Sequence, residues 1–258
     1  MAANVQDVIM LVGDSLTQGG WEPHGFAQKL AYIYNRKLDV LNRGLSGYNT
    51  VWGLPVFDQI FAKQHEQNHV PKVRLLTIWY GANDACLPPS PQHVPLPQFS
   101  SNLSTFIHKV TSPSSPQYSS ITKIILITPP PVNTYQRGAD LASREVPRDL
   151  DREFDVTRQY ADAVKEVGAK EGVAVLDLWT ELYEAAGREE RRLSEYLSDG
   201  LHLNQAGYQI VYDGLIRTIS QHYPELHYDK LQSVFVGWAD VNWENPEPSL
   251  QKRPAIVE

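Results

Sequence analysis

The sequence predicts an α/β protein, one doubly wound domain wrapped around a parallel sheet. Three observations carry that expectation. Five short runs, residues 8–12, 38–41, 73–79, 123–128 and 173–178, are nearly continuously apolar, the pattern of strands buried on both faces. Segments with helical spacing lie between them, and strands alternating with helices build right-handed βαβ units. A length of 258 residues suits one large domain or two small ones, enough to bury a full core without metal or disulfide staples.

The first run, Val8-Ile9-Met10-Leu11-Val12, is shorter than a signal-peptide core and far shorter than a membrane span, and residues 1–7 carry no basic side chain. After it, Phe26, Leu30, Ile33 and Tyr34 recur on one helical face. Two proline-rich stretches follow the third and fourth runs: Leu87-Pro88-Pro89-Ser90-Pro91 through Pro97, and residues 129–150. Loops leaving the carboxyl ends of strands surround the ligand crevice of an open α/β sheet, so both are expected to shape a pocket. Residues 111–120 read as a polar surface linker. Val156, Tyr160, Ala163, Val164 and Val167 mark a helix before Gly168 and the fifth run. The last helix is expected to begin near Asn204, to turn Ile210, Val211, Leu215 and Ile219 inward, and to end before Tyr223-Pro224. The tail from Tyr228 carries Val234, Phe235, Trp238, Val241 and Trp243, an apolar set that must pack on something. It is expected to cover part of the active-site groove or to form a dimer contact, and beyond Asn245 it turns polar and is expected to fray.

Composition removes several function classes. With 23 basic and 30 acidic side chains and a net charge of −7, the chain lacks the clustered Lys and Arg that displace counterions from nucleic-acid phosphates. The single cysteine, Cys86, can form neither an internal disulfide nor a cysteine-rich metal site, and it reads as a small packing residue. Together these features point to a cytoplasmic protein without stable membrane insertion, in which the sequon Asn102-Leu103-Ser104 is incidental.

The chemistry-bearing residues fall after strands. Val12-Gly13-Asp14-Ser15-Leu16-Thr17 closes the first run; a serine at a strand-to-helix turn exposes its hydroxyl above the sheet edge, although Gly-Asp-Ser taken alone is also ordinary turn chemistry. A serine nucleophile needs a base. Of the eight histidines only His202 follows an aspartate by three residues, in Ser198-Asp199-Gly200-Leu201-His202-Leu203-Asn204. That spacing can fold the carboxylate onto the imidazole and hold one tautomer, and it is equally compatible with a turn capping the next helix. Acyl transfer also needs donors aimed at a developing oxyanion. Gly44, in Asn42-Arg43-Gly44-Leu45-Ser46-Gly47, could offer a backbone N–H, and Asn83, in Tyr80-Gly81-Ala82-Asn83-Asp84, a side-chain amide.

Gly13-Asp14-Ser15-Leu16, Gly44, Gly81-Ala82-Asn83-Asp84 and Asp199-Gly200-Leu201-His202 resemble, in order, the blocks of the SGNH hydrolases, also called GDSL esterases and lipases. The resemblance implies a three-layer flavodoxin-like fold with a five-stranded parallel sheet of order 2-1-3-4-5. It also implies Ser15 as nucleophile, Asp199 and His202 completing a triad, and Ser15, Gly44 and Asn83 forming the oxyanion hole. Arg43 to Thr50, Gly81 to Cys86 and Val94-Pro95-Leu96-Pro97 look like the isoamyl acetate-hydrolysing esterase subgroup of that family. The likeness runs over about residues 8–241 and departs at 111–120, in the details of the loop 129–150, and after Asn242. The implied organisation is a hydrolase domain over residues 1–230 and a C-terminal extension over 231–258, packed on the domain or on a second subunit in a homodimer. The implied reaction is hydrolysis of short-chain acetyl esters of alkyl alcohols such as isoamyl acetate, a small-molecule substrate class, with no cofactor and no metal. Lysophospholipase or thioesterase activity is the alternative within the fold. Trp21, Tyr48, Trp52, Trp79 and Tyr80 flank the expected site, and Trp79, at the end of a buried strand, is expected in the core.

Competing readings are weaker. Thr17 stands where a Gly-x-Ser-x-Gly elbow needs its second glycine, and the acid sits next to the histidine, so an α/β-hydrolase is disfavoured. His65-Glu66-Gln67-Asn68-His69 matches the His-Glu-x-x-His pattern of zinc hydrolases, but the segment is wholly polar, meets Val70-Pro71 at once and reads as the exposed end of a helix. A binding module without activity is disfavoured because every expected catalytic residue is present.

Overall fold

The computed structural model of the protein describes residues 5–256. Five strands, β1 (Val8–Gly13), β2 (Asp39–Gly44), β3 (Val73–Trp79), β4 (Lys123–Ile127) and β5 (Ala174–Leu176), form one parallel sheet in the order β2-β1-β3-β4-β5. The described α-helices are α1 (Ser15–Gln18), α2 (Phe26–Ile33), α3 (Thr50–Ile60), α4 (Leu96–Thr111), α5 (Thr134–Ala142), α6 (Phe154–Glu171), α7 (Leu178–Ala185) and α8 (Gln205–His222).

Successive side chains of a strand face opposite ways, so β1 feeds two cores. Ile9 and Leu11 pack with α2, α7 and α8 on one side; Met10 and Val12 pack with α3, α4 and α6 on the other. Both sets are buried, which is why the run is continuously apolar. The expected doubly wound sheet and its strand order are therefore those of the structure. Register positions the chemistry: Gly13 pairs with Gly44 on β2 and with Trp79 on β3, so the segments after three adjacent strands emerge at one level. At that edge the strand order reverses between β1 and β3, the usual crevice of such sheets.

Several expectations need correction. β2 begins one residue later than residue 38, runs on to Gly44, and is an edge strand with Asp39 and Arg43 exposed, not a strand buried on both faces. β5 is shorter than residues 173–178 because Asp177 caps α7, accepting from the Thr180 N–H at 3.2 Å and its hydroxyl at 2.8 Å, and Leu178 opens that helix. The loop 129–150 contains α5, capped by Asn133. Residues 65–69 are not a helix end: α3 stops at Ile60 and the segment is a series of turns.

The tail lies far from the strand carboxyl ends. Leu231 and Val234 are buried, the Val234 N–H donates to the Arg36 carbonyl at 2.8 Å, and Val234 and Arg253 share a cleft with Asp7 and Arg74, at the amino ends of β1 and β3. It therefore covers the opposite edge of the sheet, not the groove beside Ser15. Nor does it fray after Asn245, since Gln232 N–H donates to Ala255 O at 3.0 Å and Arg253 Nε to Ser233 O at 2.7 Å. Trp238 and Trp243 stay 77% and 76% exposed, packed edge-to-face on each other.

Candidate active site

Ser15 is the first residue of α1, directly after β1. Asp14 caps that helix, its Oδ1 accepting the Leu16 N–H at 2.9 Å. The Ser15 N–H, at the first position of the helix, has no intrahelical acceptor. The Asp14 carboxyl is wholly buried, its Oδ2 has no partner among the described residues, and burial, with the nearby Asp84 charge adding to it, pushes its pKa up to about 7.

The partner of Ser15 comes from a tight turn ahead of α8. Ser198 N–H donates to His202 O at 2.8 Å and Asn204 N–H to Tyr196 O at 3.0 Å, so a short antiparallel bridge at Leu197 and Leu203 presents the residues between them. Gly200 makes that turn possible: its φ is +85°, and a Cβ there would lie 2.4 Å from Arg137 N and 2.7 Å from Asn133 O. Within the turn Asp199 Oδ1 accepts the backbone N–H groups of Leu201 at 3.0 Å and His202 at 2.8 Å, while Oδ2 lies 2.9 Å from His202 Nδ1. Burial would raise this carboxyl, but the His202 ring and the two backbone donors outweigh it and hold the group well below the ordinary carboxylate range. An ionised carboxylate at Nδ1 selects the tautomer with its proton there, which leaves Nε2 bare toward Ser15 Oγ, 3.1 Å away.

Asn83 enters from the loop after β3 and is 4% exposed. Its Nδ2 donates to Tyr48 O at 2.9 Å, and its Oδ1 accepts from Arg152 Nη2 at 2.9 Å and Gln92 Nε2 at 3.3 Å. Gly44 ends β2 against α1, where a Cβ would sit 2.1 Å from Gln18 N. Its N–H is already engaged, donating to Asn42 Oδ1 at 2.8 Å. Beside Ser15 and His202 opens a cleft of about 560 Å³ whose further lining includes Gln18, Trp21, Glu22, Ser46 and Ser198. Of the five aromatics expected to flank the site, Trp21 lines this cleft; Tyr48 and Trp52 pack edge-to-face on each other at 6.0 Å, and Trp79 and Tyr80 are core residues. Cys86 is buried, and burial raises its thiol pKa, the opposite of an activated nucleophile.

Sequence reasoning missed Arg137, Asp151 and Arg152, which stand behind Asp199 and Asn83. No local signal marks them, because the contacts that bring them to the site, Arg137 to Asp199 and Arg152 to Asn83, span 62 and 69 positions.

A serine, a histidine and a carboxylate in one hydrogen-bonded line at the carboxyl edge of a flavodoxin-like sheet define a class, the serine ester hydrolases of three-layer architecture. Comparison with known proteins narrows the class. The profile of the GDSL-like lipase/acylhydrolase family matches residues 11–210, and the chain belongs to that family, the SGNH hydrolases. It is 34% identical over 246 residues to the isoamyl acetate-hydrolyzing esterase 1 homolog of Mus musculus, covering 94% of this chain and 91% of the relative. It is 31% identical over 241 residues to the isoamyl acetate-hydrolyzing esterase of Saccharomyces cerevisiae, covering 90% and 94%. The crystal structure of the lipase/acylhydrolase from Enterococcus faecalis superposes with a TM-score of 0.59 at 25% identity, over 83% of this chain and 96% of that one. The protein is accordingly an esterase of the SGNH family.

Proposed function

We propose that Ser15, His202 and Asp199 are the catalytic triad of this esterase and that it hydrolyses short-chain acetyl esters of alkyl alcohols such as isoamyl acetate. The observation that carries the assignment is the continuous line from Ser15 Oγ through His202 to Asp199, at 3.1 and 2.9 Å. His202 Nε2 takes the Ser15 proton as Oγ attacks the ester carbonyl, forming a tetrahedral oxyanion. In this reading the Ser15 N–H, the Asn83 amide and the Gly44 N–H, the last now donating to Asn42 Oδ1, are the donors that hold that oxygen. The imidazolium then gives its proton to the departing alkoxide, leaving an acyl-serine. Water, deprotonated by the same nitrogen, attacks the acyl carbon, and collapse with return of the proton to Oγ releases the acid. Asp199 remains ionised throughout and holds the ring in place.

The acetyl preference is supported by the names of the mouse and yeast relatives. Two measurements test the reading. Ser15→Ala should abolish hydrolysis of a chromogenic acetyl ester while leaving the circular dichroism spectrum unchanged, and near-parent turnover in that variant would overturn the triad. A series of nitrophenyl esters from acetyl to palmitoyl, run beside isoamyl acetate and a lysophospholipid, should give kcat/KM highest at the acetyl end; a maximum on long acyl chains or on the lysophospholipid would transfer the assignment to a lysophospholipase.

A further inference from the structure

Arg137 and Arg152 are buried, at 5% and 2% exposure, and the ester chemistry above uses neither. Burying a guanidinium is costly unless acceptors meet its donors, and two of them side by side need a shared counter-charge. Asp151 supplies it. Arg137 grips Asp151 with two bonds, Nε to Oδ1 at 3.1 Å and Nη2 to Oδ2 at 2.9 Å, and Arg152 Nη1 donates to the same Oδ2 at 2.6 Å. The outer donors reach the reaction site from two directions. Arg137 Nη1 donates to Asp199 Oδ2 at 2.8 Å, and Arg152 Nη2 donates to Asn83 Oδ1 at 2.9 Å, with Arg152 Nε fixed on Ala82 O at 2.7 Å.

From this chain we infer that Asp151, acting through Arg137 and Arg152, ties the carboxylate behind the base to the oxyanion amide, so that one ion network built on two buried arginines positions both halves of the machinery. The inference rests on the triad reading above. On the Asn83 side the network sets the amide's orientation: with Arg152 on Oδ1, a flipped side chain would push an NH2 group against a guanidinium, so Nδ2 must face the Tyr48 carbonyl. On the Asp199 side the His202 ring and Arg137 share one oxygen. The guanidinium draws negative charge from the same carboxylate atom that faces the imidazolium formed when His202 takes the serine proton. The other charges around this pair are Asp140, 3.6 Å from Arg137 and itself bound to Arg144, Asp151, the buried Asp14, and Glu22 across the cleft. Arg137, Asp151 and Arg152 are thus positioning residues that touch no substrate atom.

The test uses full-length protein and nitrophenyl acetate, with kcat and KM recorded against pH. Arg137→Met should move the acid limb of the kcat/KM profile upward by about one pH unit, the scale of one charge removed at this distance through partly wet protein. Arg137→Lys should leave the limb where it is, because the charge stays, yet lower kcat about tenfold because a point charge cannot hold Asp151 in a fork. Asp151→Asn should lower kcat by a similar factor with KM within about twofold, and adding Asn83→Ala to it should cost much less than Asn83→Ala costs alone. An unmoved limb in Arg137→Met, parent kcat in Arg137→Lys, or losses in Asp151→Asn and Asn83→Ala that simply multiply would each overturn the network. Arg137→Lys retains the buried charge and decides the matter if Arg137→Met does not fold. Ser15→Ala in the same assay separates the two readings: if it stays active the triad fails, whereas an inert Ser15→Ala beside unaffected arginine variants removes the network alone.

Discussion

Asn83 Oδ1 is taken by two donors and one Nδ2 proton by the Tyr48 carbonyl, which leaves a single proton for the oxyanion role proposed above. Removing it in Asn83→Ala should cost on the order of 3 kcal/mol, about a hundredfold in kcat, with KM little changed, as for other single oxyanion donors. Gly200 is the complementary case, a residue whose value lies in lacking a side chain. Gly200→Ala forces a Cβ at positive φ into the first turn of α5, so backbone strain alone should cost on the order of 1–3 kcal/mol. A lowered melting temperature together with lost esterase activity is the expected result; parent-like values for both would show that the turn yields without consequence. Both residues were legible in sequence, Asn83 as a donor and Gly200 as part of the Asp-Gly-Leu-His block. The grip of Arg152 on Asn83 was not, because the two are 69 positions apart and neither side chain's neighbours are set by local spacing.

Elements were most readable where capping chemistry and periodicity agree. Asn204 was expected to open the last helix, and its Oδ1 accepts the Ala206 and Gly207 N–H groups at 2.9 and 3.1 Å. Because α8 carries Tyr208 against Leu16 O and follows the His202 turn, Asn204→Ala should lower stability by about 1 kcal/mol, read as a reduced urea midpoint at constant slope. The edge strand β2 was harder to read. Asp39-Val40-Leu41 looks like half of a buried strand, but edge position is set by strand order, and only the pairing of β1 with both β2 and β3 puts β2 outside. The 129–150 loop hid α5 for a related reason: Thr134–Ala142 is short, amphipathic and polar outside, and its Asn133 cap is tied by its N–H to Gly200 O at 2.9 Å, a contact made only in the folded chain.

Across the whole molecule, the buried carboxyl groups shape how stability responds to pH. Asp14 and Asp84, raised chiefly by burial to about 7 and about 6, keep their protons in the native state when the unfolded chain has lost them. Between the ordinary aspartate value of about 3.9 and pH 7 the native state binds more protons, so these two groups make stability fall as pH rises. Asp199 and Asp151, held below the ordinary range by their hydrogen-bonded partners despite burial, act in the opposite sense: the stability they contribute is present above about pH 4 and lost as pH falls further. Urea midpoints measured from pH 3 to 8 should therefore pass through a maximum on the acid side of neutrality. Asp14→Asn, which mimics the neutral acid, should flatten the decline toward pH 8, and an unchanged slope in that variant would contradict the assignment to Asp14. The layered α/β fold and the ordered blocks holding Ser15, Asn83, Asp199 and His202 are readable along the chain, because apolar period, turn chemistry and short motifs are written in neighbouring residues. Tertiary structure alone decided that Asn42 occupies the Gly44 N–H, that the aromatic tail docks at the amino edge beside Arg36, and that Asp151 joins two arginines behind the site. Those contacts depend on which distant segments the sheet order and the two cores bring within hydrogen-bonding reach, a geometry that no local spacing encodes.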